Sequence, residues 1–275
     1  MGQTIACANQ KGGVGKTTTV VNLASYLALR GDRILVIDLD PQGNGTSGLG
    51  VDRSTVERSI YDGMIDGVGI DQLVIQRTAE GVDLVPSTIA LAGAELELAG
   101  VPARERRLRR LLEGVTDQYD VIFIDCPPSL GLLTVNALTA ADAVLVPLQC
   151  EYYALEGLTQ LLATIALVRD NLNPQLQLDG VVLTMYDART NLSADVAAEA
   201  RRHLKESVYE AVIPRSVRLS EAPSHGLPIT RYAPDSRGAA AYAQLATEFR
   251  ARSRREHTPA VADHAESREG TMVMS

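Results

Sequence analysis

Residues 9–19 read NQKGGVGKTTT, and they join two contrasting patterns. Before them lies QTIACAN, residues 3–9, a short apolar run. After them comes TTTVVNLASYLALRG, whose apolar residues recur at helical spacing until Gly31 ends it. A strand passing into a helix through a glycine-rich loop is the first half of a parallel crossover unit. The alternation continues down the chain. Apolar runs at 33–38, 82–87, 119–129, 142–149 and 177–185 are separated by helical patterns at 103–114, 130–140, 153–170, 193–205 and 238–255. Near-continuous apolar strands imply burial on both faces. The expected fold class is therefore α/β, a mostly parallel twisted sheet with helices on both faces and right-handed crossovers.

With no linker and no internal repeat, residues 1–255 read as one domain. The segment 256–275 is polar, lacks apolar periodicity and is expected to be disordered. The cysteines, Cys7, Cys126 and Cys150, stand singly with no CxxC spacing. They read as buried thiols of a reducing compartment, not as disulfides or metal ligands. No apolar run approaches the roughly 18 residues of a membrane span, and Met1 leads straight into a strand-like segment, so no signal peptide is expected. A cytoplasmic location follows from these expectations. The net charge of −8 makes the average surface repel nucleic acid, so any DNA contact requires a local basic patch.

The loop has the parts of a phosphate cradle. The usual GxxxxGK[ST] spacing fails by one residue, because Gln10 stands where the first glycine belongs. KGGVGKTT replaces it and keeps the context of strand, loop and helix. Backbone N–H groups of Gly12, Gly13, Val14 and Gly15 can converge on phosphate oxygens, aided by the N-terminus of the helix that follows. Lys16 is placed for the β- and γ-phosphates and Thr17 for Mg²⁺, and Thr18 is a further candidate nucleotide contact. A nucleoside triphosphate with Mg²⁺ is the expected ligand. Lys11 is a second lysine, five residues earlier at the mouth of the loop. It is poorly placed to grip its own nucleotide. It is either a solvated surface lysine or a cation supplied to the nucleotide of a facing copy in a two-fold dimer.

Acidic residues end two of the apolar runs. VIDLDPQGN places Asp38 and Asp40 at the carboxyl end of one, where open parallel sheets carry ligands. Asp40 is the choice for orienting an attacking water, and Asp38 the one nearer the metal. Pro41 and Gly43 suit a loop that reorganises when the γ-phosphate is lost. VIFIDCPPS ends another with Asp125, an acid held at a strand tip for Mg²⁺. The alternative for each is a helix cap or strand terminator.

These blocks, with AGAELEL, IDCPPSLGLLTVNAL, PLQCEYYALEGL, LTMYDARTNL and IPRSVRLSEAPSHG, resemble in order those of the ParA/Soj chromosome- and plasmid-partition ATPases over residues 2 to about 250. KGGVGKTT is similar to that family's deviant Walker A motif, shared with the wider group that includes MinD. The resemblance implies an ATP-sandwich homodimer with Lys11 acting in trans, and Gly13 and Glu151 at the interface. Glu151 either holds Lys11 in place or is merely an acid at a helix N-terminus. It also implies that Met185 and Pro214 flank adenine, and the absence of an NKxD motif favours adenine too. Arg189 and Arg218 are the implied contacts to non-specific double-stranded DNA, read as lying in loops or short turns. The basic run RERRLRR at 104–110 is a rival patch that reads better as a solvated helix face. A ParB-type partner would stimulate slow hydrolysis on the nucleoid. Two other readings compete. A MinD-like membrane-positioning ATPase requires an apolar stripe that 256–270 lacks, and an electron-transfer iron protein requires paired cysteines.

Overall fold

The computed structural model describes residues 2–152 and 154–256; the tail expected to be disordered lies outside the described residues from 257 on. Its strands are β1 (Gln3–Cys7), β2 (Ile34–Asp38), β3 (Asp83–Val85), β4 (Val121–Asp125), β5 (Ala143–Gln149), β6 (Gln177–Tyr186) and β7 (Val208–Pro214). They form one sheet in the order β3-β2-β4-β1-β5-β6-β7, and every ladder is parallel. Among the described residues one isolated antiparallel bridge, Ile75 to Leu84, is added beside β3. β7 is the strand that the apolar pattern does not announce. As an edge strand it needs no continuous apolar run, and it carries an exposed Glu210 in its middle.

The helices are α1 (Lys16–Ala28), α2 (Asn44–Gly48), α3 (Ile60–Ile65), α4 (Ala94–Glu97), α5 (Arg107–Leu112), α6 (Leu132–Ala140), α7 (Ala154–Asn171), α8 (Asn191–Leu204), α9 (Val217–Glu221), α10 (Ile229–Tyr232) and α11 (Arg237–Glu256). The two-residue period of the strands sorts their side chains between two cores. Ala6, Leu35, Ile37, Ile122, Ile124, Val144 and Val146 face one, with α3 to α8. Ile5, Cys7, Ile34, Val36, Val121, Phe123 and Leu145 face the other, with α1 and α11. Each fully buried Leu, Ile or Phe contributes about 1.5–3 kcal/mol, so both faces hold the sheet.

This wiring locates the site. β1 and β4 are neighbours, yet α1 leaves β1 toward one face and α6 leaves β4 toward the other. Their diverging connections open a crevice at the carboxyl ends, the place where open α/β sheets bind ligands. α1 is pinned beneath it. Asn22 accepts from Ile229 N at 2.7 Å, and Thr19 shares a hydrogen bond of 3.2 Å with the Tyr242 hydroxyl on α11.

Candidate nucleotide site

The glycine-rich loop is held from both sides. Asn9 donates Nδ2 to Pro147 O at 2.7 Å and accepts from Lys11 N at 3.0 Å, fixing where the loop leaves β1. Gly13 and Gly15 adopt φ of 73° and 90°, a region that L side chains occupy only under strain, so the reversal into α1 requires glycine there. Val14 is buried, and its carbonyl accepts from Thr184 Oγ1 at 2.8 Å, anchoring the loop to β6. Lys16 opens α1 and is only 6% exposed; its Nζ donates back to Lys11 O at 3.2 Å. The ammonium thus lies within the turn of the loop, beside the free N–H groups of the helix start.

Two joined recesses share Gly15, Thr18, Met185 and Pro223. One, of about 380 Å³, is walled by Gly12, Gly13, Lys16, Thr17 and Asp40 and suits phosphates. The other, of about 480 Å³, is walled by Met185, Ile213, Pro214 and Pro223 and offers the apolar surface that a planar base needs. Met185 reaches its position with φ of 51°, a strained conformation for a non-glycine residue. Sequence reasoning had singled out Met185 and Pro214 but missed Asn22, Thr184, Ala222, Pro223 and Leu227. Thr184 is the residue before Met185, and the last three fall in or beside the block SEAPSHG. Their only signal was membership in blocks chosen for other residues.

The three aspartates are drawn together as expected, with different surroundings. Asp38 and Asp125 end adjacent strands and are partners in the ladder. Both are fully buried. Asp38 accepts from Thr46 N and Thr46 Oγ1, each at 2.7 Å. Burial nevertheless pushes its carboxyl up to about 6. Asp125 has no hydrogen-bond partner for either oxygen. Burial, and then the Asp38 charge beside it, raise its carboxyl well above the usual range; the nearby Thr17 hydroxyl offsets part of this without reaching hydrogen-bond geometry. Asp40 is the one that lines the phosphate recess, and its Oδ1 accepts from Gln42 N at 2.9 Å.

Lys11 does not line the recess. Its Nζ turns away to Glu151 Oε2 at 3.0 Å, so Glu151 does hold this lysine, within one chain. Arg189 pairs with Asp187 at 2.7 Å and Arg218 with Glu221 at 3.0 Å, both at exposed positions. Arg189 holds the Asp187 carboxyl below the usual carboxylate range. Arg218 lies on the short helix α9, not in a loop. In the rival run 104–110, Leu108 is buried against the core and Arg104 pairs with Glu105, as a helix edge requires. All three thiols are buried, and burial pushes each above its usual range, Cys150 to about 11.

Sheet order, loop geometry and acids at the strand tips together define a P-loop nucleoside-triphosphate fold. A family model described as an AAA domain matches residues 2–178. The chain is 57% identical over 251 residues to the sporulation initiation inhibitor protein Soj of Bacillus subtilis, covering 91% of this chain and 99% of that protein. It is 51% identical over 252 residues to the chromosome partitioning protein ParA of Caulobacter vibrioides, covering 91% and 94%. Among solved structures, cobyrinic acid a,c-diamide synthase of Mycobacterium smegmatis with bound ADP and magnesium is similar at a TM-score of 0.79 and 41% identity, covering 90% and 93%. The chain belongs to the ParA/Soj family of chromosome-partitioning ATPases.

Proposed function

We propose that this chain is an ATP-driven switch for DNA segregation. It binds ATP with Mg²⁺, pairs with a second copy across the two nucleotides, and as a pair holds double-stranded DNA without sequence preference. A ParB-type DNA-binding partner then stimulates hydrolysis and release. The observation that carries this reading is the position of Lys11. It is a cation rigidly seated at the loop mouth, outside its own phosphate recess, and attached only through a half-exposed ion pair. Two relatives named for chromosome partitioning, at 51% and 53% identity, outweigh the synthase name carried by the 41% identical structure.

The donor set fits Mg²⁺. Asp125 presents two buried oxygens with no partner beside Thr17, a site that a hard cation sharing phosphate and water oxygens would satisfy. When bound, Mg²⁺ neutralises charge on the phosphates. Lys16 and the loop N–H groups hold the triphosphate, and the Met185–Pro214 recess holds the base. Asp40 orients the attacking water and accepts its proton. Lys11 of the facing copy supplies positive charge as the terminal phosphoryl group departs, so the site is complete only in the pair and unaided turnover is slow. Arg189 and Arg218 lie beyond the carboxyl ends of β6 and β7. Doubled by pairing, they form a phosphate-binding surface despite the net charge. Bound phosphates would draw them from Asp187 and Glu221, exposed ion pairs that hold them weakly.

The test is DNA co-sedimentation with ATP, with ADP and without nucleotide, alongside sedimentation of Lys11→Ala. ATP alone should carry the wild type into the DNA pellet, and Lys11→Ala should remain unpaired and unbound. Equal retention in all three nucleotide states, or pairing of Lys11→Ala at wild-type affinity, refutes the reading. Liposome co-sedimentation separates it from the MinD-type alternative.

A further inference from the structure

The Glu151 carboxylate meets three donors. Oε2 accepts from Lys11 Nζ at 3.0 Å, while Oε1 accepts from Gln149 Nε2 at 2.6 Å and lies 3.8 Å from Arg215 Nη2. The two cations come from different parts of the fold. Lys11 belongs to the loop after β1, and Arg215 directly follows β7. Only Lys11 is in full contact. Arg215 has a fixed base and a free end: its N–H donates to Tyr186 O at 3.0 Å, whereas its side chain is 64% exposed. Asp187, also in that neighbourhood, is already paired with Arg189 at 2.7 Å. Glu151 is thus one acid shared by a seated cation and a waiting one.

We propose that Glu151 is a two-position tether, which holds Lys11 on its own chain before pairing and passes to Arg215 when Lys11 leaves for the facing copy's triphosphate. This rests on the trans role of Lys11 proposed above. Lys11 cannot reach across an interface while its ammonium stays on Glu151, because its backbone is fixed to Asn9 and its carbonyl to Lys16. Its departure would leave a carboxylate without its cation. Arg215 needs to close less than 1 Å to give it another. The exchange keeps the unpaired chain from presenting a free lysine, yet makes release nearly neutral once nucleotide attracts that lysine. Glu151 and Arg215 are positioning residues here, acting on Lys11 and not on the phosphates. A half-exposed ion pair changes an equilibrium by about twofold to fivefold. A two-fold pair releases two tethers, so the dimer constant changes by the square, about fourfold to twenty-five-fold.

The experiment is sedimentation equilibrium of the full chain at saturating non-hydrolysable ATP analogue and Mg²⁺, without DNA. Glu151→Gln keeps the contact to Gln149 and removes both ion pairs at once, so it should pair within about twofold of wild type. Arg215→Gln leaves the released carboxylate without a second cation and should weaken pairing about fourfold to twenty-five-fold, and Arg215→Lys should restore most of that loss. The double variant should pair like Glu151→Gln alone, because Arg215 has no carboxylate left to receive. Pairing of Glu151→Gln changed by more than about twofold, or an Arg215→Gln effect of equal size in both backgrounds, overturns the tether. Failure of the underlying reading is separate: Lys11→Ala would then pair at wild-type affinity, whereas a failed tether alone leaves Lys11→Ala unpaired.

Discussion

Asp125 sets folding against function, and the conflict can be measured. Its carboxylate is fully buried, neither oxygen is hydrogen bonded, and its ladder partner is another buried acid, Asp38. Burial raises Asp38 from 3.8 to about 6, and Asp125 moves in the same direction. A carboxyl with a raised folded pKa binds its proton more tightly in the folded chain. The stability it contributes is complete below its unfolded pKa and is lost as pH climbs through the folded value. For Asp38 the rise from 3.8 to about 6 corresponds to roughly 3 kcal/mol by linkage. Roughly half of that is lost between pH 5 and 7.5 by the same linkage, and Asp125 carries the loss higher. The depressed carboxyls Asp52, Glu105, Asp120, Asp187 and Glu199 have the opposite sign, but they titrate below this window. Asp125→Asn removes a charge without removing a hydrogen bond. Urea denaturation of the nucleotide-free chain in EDTA, from pH 5 to pH 8, should show wild type losing on the order of 1–2 kcal/mol. Asp125→Asn should be flatter and about 1–3 kcal/mol more stable than wild type at pH 8. Mg²⁺-dependent nucleotide binding should be lost in the same variant. A parallel pH slope in the two proteins, or a less stable variant at pH 8, would refute the conflict.

Gly15→Ala places a Cβ at φ of 90°. About 1–2 kcal/mol of backbone strain should appear as a matching loss of stability, with nucleotide affinity reduced at least tenfold by fluorescent-nucleotide titration. Thr184→Val removes the donor to Val14 O while keeping the shape. It should cost about 1–3 kcal/mol in urea denaturation and raise the Kd for ATP, whereas an unchanged Kd would mean the loop does not depend on β6. Arg189→Glu and Arg218→Glu should bind nucleotide normally and lose DNA retention in a gel shift; unchanged retention rejects that surface.

What the sequence disclosed tracks how strongly burial constrains each segment. β1, β2, β4, β5 and β6 lie within two or three residues of the expected runs or overlap them directly, because strands covered on both faces admit few polar residues. The ends of α6, α7, α8 and α11 likewise fall close to expectation, since α7, α8 and α11 lay an apolar face on the sheet and α6 is apolar almost all round. The expected helix at 103–114 divides into a 3-10 turn, Arg104–Arg106, and α5; Ala103 before it has φ of 52°. The half-covered edge strand β7 escaped notice, as did α2 and α3 in the irregular stretch after β2. In the site, Lys16, Thr17 and the strand-tip aspartates were legible because loop spacing and strand ends are local facts. Asn22, Thr184 and Pro223 were not. Each matters through a contact with a segment far away in sequence, and no local pattern encodes that.

The polar residues at the two ends of the sheet obey different rules. At the amino ends, Asp120 accepts from Arg33 N and its guanidinium at 2.8 Å each, Asp142 accepts from Thr4 N at 2.7 Å, and Asp83 accepts from Arg77 N and Tyr119 Oη. Each of these acids is satisfied within the chain and joins neighbouring segments, which is a folding role. At the carboxyl ends, Asp125 is orphaned, Met185 is strained, Lys16 leans on a carbonyl, and Lys11 is parked on an exposed acid. A sequence selected for stability alone would remove the unpartnered carboxylate of Asp125, so its retention at this end means that something outside the chain resolves it. The groups there that can take a ligand are the two orphaned Asp125 oxygens, the loop N–H groups and the ammonium ions of Lys16 and Lys11. A cation can satisfy the first and a polyphosphate the loop N–H groups and Lys16, while under the pairing proposed above the Lys11 ammonium exchanges Glu151 for a polyphosphate held in a different copy.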